Sequence, residues 1–77
     1  MNITHADVLQ KVNDLWNGIG DGARLNLDLD GAIVKIVHPH GMSVGVLMNR
    51  HDLEVSIDEL ASSKLIPALT DLKERVQ

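Results

Sequence analysis

An α+β domain with a helix at each end and an antiparallel sheet between them is predicted by three features of this chain. An apolar stripe recurs at helical spacing over residues 5–17, the period drops to two from Leu25 onward, and a second helical stripe runs to the carboxyl end. Seventy-seven residues make one such domain. At that size folding buries about 60% of the surface of the unfolded chain, and the expected stability is about 4–12 kcal/mol.

In the first element Thr4 is placed to cap a helix, with Asp7 at the third helical position, favoured by the positive end of the dipole. Ile3 and Val8 stand at hydrophobic-staple spacing around that cap. Val8, Val12, Leu15, Trp16 and Ile19 then form one stripe, which predicts a helix over about 5–17 with Trp16 buried against the sheet. Gly18 or Gly20 is the expected left-handed stop.

Leu25, Leu27 and Leu29 alternate with Asn26, Asp28 and Asp30, and Asp30-Gly31 leads into the run AIVKIV. This is the pattern of a two-residue type I′ hairpin pairing Leu29 with Ala32, Leu27 with Val34 and Leu25 with Ile36. After His38-Pro39-His40-Gly41 the segment SVGVLM reads as a third strand, and Leu53, Val55 and Ile57 alternate as a short fourth. The sheet is therefore expected to be a meander of three or four strands.

Ser56 and Glu59 have capping-box spacing, and Leu60, Ala61, Leu65, Ala68, Leu69, Leu72 and Val76 form the last stripe. Pro67 is tolerated in a first helical turn but costs roughly 3 kcal/mol in an interior. A short turn over 57–62 and a fresh helix over about 64–76, capped by Ser63, avoid that cost.

Composition narrows the function classes. Seven basic and eleven acidic side chains leave a charge of −4, which repels phosphate backbones and anionic membranes. Trp16 is the single aromatic residue, so no platform exists for stacking bases. Direct nucleic-acid or membrane binding is not expected. No cysteine is present for a disulfide or thiolate cage, and no run has the length of a signal-peptide core or a membrane span. The default expectation is a cytoplasmic location.

Four spellings resemble chemical motifs, and each lacks its physical context. Gly41-Met42-Ser43-Val44-Gly45 has the letters of a nucleophile elbow, yet a strand pattern follows the serine where a helix is needed, and no histidine follows Asp52. Asn26 to Gly31 resembles a calcium loop, but Val37 occupies the twelfth position, where a bidentate glutamate belongs. Gly18, Gly20 and Gly22 leave a helix rather than open one, so carbonyls stand where a phosphate needs amides. His38 and His40 precede the third strand and His51 follows it, a separation of about 20 Å that splits any three-histidine metal site. These are read as turn histidines facing water, and no catalytic residue, cofactor or metal ligand is assigned.

Function is then argued from surfaces. With a regular turn over 39–42, Leu47 joins the leucine face of the hairpin. Ile33, Lys35, Val37, Val44, Val46 and Met48 fall on the other face, beyond the reach of two short helices. A one-residue shift in that turn, or a bulge at Gly45, would instead send Val44, Val46 and Met48 into the core. The first arrangement predicts a non-catalytic protein-binding role, such as an accessory subunit, inhibitor or immunity-type factor. It would act as a homodimer or on a partner protein with a basic surface, and lysine at Val37 or Val46 would separate the copies without unfolding them. A second possibility is an acidic nucleic-acid mimic presenting Asp28, Asp30, Asp52, Glu54, Asp58 and Glu59. A third is a histidine-based metal protein.

Overall fold

The computed structural model describes residues 3–76, and these form helix α1 (His5–Ile19), strands β1 (Asn26–Asp30), β2 (Ile33–Val37) and β3 (Ser43–Leu47), and a helical carboxyl-terminal arm. The arm comprises α2 (Ile57–Leu60), one π turn (Ala61–Leu65) and α3 (Ile66–Val76). The strands make one antiparallel sheet in the order β1-β2-β3, so the α+β architecture expected from the sequence is the one observed. Both helices lie on one face of the sheet, and Trp16, Leu25, Ile36, Leu60, Leu65 and Leu69 are among the residues that close the core between them.

The predicted cap of α1 forms in full. The backbone N–H of Asp7 donates to Thr4 Oγ1 at 3.2 Å, and that of Thr4 donates to the Asp7 carboxylate at 3.0 Å. At the other end Gly20 is extended, with φ −108° and ψ −155°, rather than left-handed. Its N–H donates to the carbonyl of Trp16 at 2.7 Å, and any side chain there would overlap the Trp16 ring. Glycine at position 20 thus answers a packing demand and not a dihedral one.

The first hairpin turns one residue later than the sequence pattern suggests. Asp30 pairs with Ile33, Leu29 with Val34 and Leu27 with Ile36, so Gly31 and Ala32 are the two central residues. Gly31 has φ +62° and Ala32 has no positive φ, the pattern of a II′ turn rather than I′. Because the register moves by two residues, the leucines keep their face.

The second turn changes the faces. The N–H of His38 donates to the Met42 carbonyl at 2.7 Å, and that of Gly41 to the His38 carbonyl at 2.9 Å, with Gly41 at φ +98°. This is a three-residue loop closed by a left-handed glycine, one residue shorter than a regular turn over 39–42, and the change of one residue reverses the faces of β3. Ile36 therefore pairs with Val44 and Val34 with Val46, and cross-strand partners share a face. Val44, Val46 and Met48 are buried in the core, and Leu47 is the residue turned outward. The expected exposed face of Val44, Val46 and Met48 is accordingly corrected, by a bulge at Gly41 and not at Gly45.

No fourth strand forms among the described residues. Asn49 and Asp52 each accept the other's backbone N–H at 2.9 Å, which folds the segment into a turn and a 3₁₀ helix over His51–Leu53. The carboxyl-terminal arm likewise departs from expectation. Ser56 caps it, accepting from the N–H of Glu59 at 3.1 Å, but Ser63 starts no new helix. The chain stays helical and widens by one residue, so that the N–H of Ile66 donates to the carbonyl of Ala61. That π turn makes room at the Ser63 carbonyl, which the Pro67 ring would otherwise strike.

Candidate functional site

The two ends of the sheet's inner face differ in how they are covered. At one end α1 ends over the sheet at Trp16, whose indole N–H donates to Asp21 at 2.9 Å. The other oxygen of Asp21 meets His38 Nε2 at 2.8 Å, and the backbone N–H of Ala23 adds a third bond at 3.0 Å. His38 Nδ1 accepts from the N–H of His40 at 3.1 Å, which leaves Nε2–H as the donor to Asp21. The His38 ring is only 1% exposed and stands edge-on to Trp16, with centroids 5.9 Å apart. The N–H of Ala23, then His38 and Trp16, hold the Asp21 carboxyl down at about 2.

An aspartate orienting a histidine supplies two of the three members of a catalytic triad, but both imidazole nitrogens here are hydrogen-bonded, Nε2 to Asp21 and Nδ1 to the His40 N–H, so neither faces a serine. Ser43 lies on the sheet's outer face, paired with Val37. The arrangement ties the end of α1, the glycine-rich loop and the β2–β3 turn together as a clamp. His38, expected in water, is thus a core residue, while His40 and His51 are exposed. No group of three His, Cys, Asp or Glu side chains among the described residues converges to hold a metal ion.

Beside the clamp, Asn13 does the work of a missing strand. Its side-chain oxygen accepts from the N–H of Leu25 at 2.8 Å, and its amide donates to the Leu25 carbonyl at 3.1 Å. The start of β1 is thereby sealed by a helix side chain.

At the other end the described residues leave the same face open. A groove of about 240 Å³ runs between the start of α1 and the β1–β2 turn, lined mainly by Ile3, Val8, Leu27, Leu29, Val34 and Leu53. Around the turn, on the outer face, stand Ile33 and Leu47. Of the four large apolar side chains exposed among the described residues, Leu29, Ile33 and Leu47 sit at this end, with Ile66 alone elsewhere. Of the residues expected to bind a partner, Ile33, Lys35 and Val37 share the outer face and Val44, Val46 and Met48 do not. Alternation places Leu27 and Leu29 on the covered leucine face and Leu53 in a fourth strand, so none of the three reads as surface. One signal was available: the single aromatic residue lies on a stripe that can cover one end of a sheet, not both.

The acidic stripe is partly neutralised. Lys64 Nζ meets Asp52 at 2.7 Å and Lys11 Nζ meets Asp58 at 2.9 Å. The Asn49 N–H and then Lys64 hold the Asp52 carboxyl below its ordinary range. Asp28 and Asp30 remain exposed on β1, with Lys35 opposite Asp28 and Ile33 opposite Asp30. No helix is long and apolar enough among the described residues to cross a membrane. Compared with known protein families, curated proteins and solved structures, the chain matches none.

Proposed function

We propose that this chain is a non-catalytic protein-binding domain, of the accessory-subunit or inhibitor kind, that contacts another protein through the open end of its sheet. The observation that carries the reading is the exposure of three large apolar side chains at one end of the sheet, Leu29 on the inner face beside an apolar groove that the described residues leave open, and Ile33 and Leu47 side by side on the outer face. Exposed apolar side chains scattered singly are ordinary, whereas several gathered at one end of a sheet beside an apolar groove mark a contact surface. The excess of carboxylates favours a partner with a basic surface. A homodimer loses most of the apolar area on which it was argued, because Val44, Val46 and Met48 belong to the core.

The test is a photo-crosslinking residue placed at Leu29, and separately at Thr70 on the exposed side of α3, in the native cell. A discrete adduct from position 29 and none from position 70 is the expected result. The same adducts from both positions, or none from position 29, would reject the surface.

A further inference from the structure

The open end is also an open strand edge. In an antiparallel ladder alternate residues turn their backbone groups to opposite sides, and the bonds from Asn13 to Leu25 show which residues of β1 face away from β2. Leu25, Leu27 and Leu29 share that side; Leu25 is taken, and the N–H and C=O groups of Leu27 and Leu29 bond to no other described residue. The far edge of the sheet is guarded: Lys64 Nζ donates to the Leu47 carbonyl at 2.7 Å while bonded to Asp52, so a charge sits on β3 with α3 packed alongside.

Resting on the protein-binding reading above, we propose that the partner supplies an extended strand to the edge of β1, with apolar residues alternating with lysine or arginine. Strand addition satisfies the Leu27 and Leu29 backbone groups and sends every second side chain into the groove of Ile3, Val8 and Leu53. The intervening side chains lie on the outer face beside Asp28 and Asp30, where positive charge is matched. Asp30, which faces Ile33 and not a lysine, is the stronger attractor. A second copy of this chain is disfavoured as the occupant, because an antiparallel twofold pairing sets these carboxylates against each other.

Binding of a short synthetic peptide of alternating valine and lysine to the ¹⁵N-labelled chain, with amide hydrogen exchange read residue by residue, tests the proposal. The peptide should slow exchange at Leu27 and Leu29 and leave Ser43 and Gly45 unchanged. N-methylation of its alternate amides should abolish binding, and glutamate in place of lysine should weaken it. Asp28→Asn with Asp30→Asn should cost about three- to tenfold in affinity. Protection at Ser43 and Gly45, equal affinity for the lysine and glutamate peptides, failure of the lysine peptide to bind, or protection of Leu27 and Leu29 by self-association alone would each overturn it. If the peptide fails while position 29 still yields its discrete adduct, the contact surface stands and strand addition falls. If both fail, the surface itself is rejected.

Discussion

Leu25 and Leu29 are the same residue on the same face of one extended segment, yet Leu25 is 0% exposed and Leu29 is 59% exposed. What differs is the opposite wall. Leu25 lies in the same buried core as Trp16, and Asn13 holds both of its backbone groups. Over Leu29 the described residues supply Val8 at the start of α1, Ile3 before it and Leu53, and these leave a groove. Alternation therefore declares which side of a strand is apolar, while burial depends on what the rest of the chain can place across from it. The closed end holds the fold together, and the other end leaves Leu29 in water.

The largest effect should come from putting a charge on each side of that boundary. Val46→Lys, at a site 6% exposed, should cost about 4 kcal/mol or more, enough to unfold a domain of this size, whereas Leu47→Lys, at a site 64% exposed, should leave it folded. Circular dichroism decides between them; equal melting temperatures would mean that β3 presents its other face. The expectation that lysine leaves the chain folded now applies to Val37 and not to Val46.

A truncation pair measures the same contrast more finely. Leu25→Ala should lose about 2–5 kcal/mol in urea unfolding, and Leu29→Ala less than about 1 kcal/mol. Comparable losses would show that the groove is closed in solution. Between these in size, Gly20→Ala should cost about 1–3 kcal/mol by pushing the Trp16 ring out of its place, and tryptophan fluorescence should shift to the red. Unchanged emission would separate Gly20 from the clamp.

The smallest effect is one of pH. The folded-state pKa of Asp21 is lowered from 3.8 to about 2, so its contribution is present in full above about pH 4 and lost as the pH falls toward 2. Asp52 is shifted in the same direction and adds to the same loss. Asp21→Asn should flatten the fall in stability between pH 4 and 2 relative to the wild type. A wild-type slope retained in the variant would assign the acid sensitivity to other carboxylates.

The elements themselves were legible because their signals are local. Thr4 and Asp7 lie three residues apart, the apolar stripes repeat within one or two turns, and Gly31 marks the hairpin to within one residue. The sheet faces were half legible: Ile33, Lys35 and Val37 lie on the outer face as expected, whereas Val44, Val46 and Met48 are buried in the core. The clamp was invisible, since Asp21 and His38 are seventeen residues apart and neither periodicity nor composition pairs them.

By itself the sequence determined α1 and its cap, the first three strands in their order, the helical character of the carboxyl-terminal stripe and the burial of Trp16, all consequences of neighbours within a few residues. The fourth strand and the fresh cap at Ser63, read from the same kind of signal, do not form among the described residues. Tertiary structure decided which way β3 faces, through a single left-handed glycine at position 41 that changes the parity of a turn. It also decided how Pro67 is housed, because buried residues on both sides of the π turn keep the arm helical and leave widening as the way around the ring. And it decided which leucines stay in water, because a fixed length of helix can be laid over only part of a sheet, and the packing of Trp16 against His38 settles which part that is.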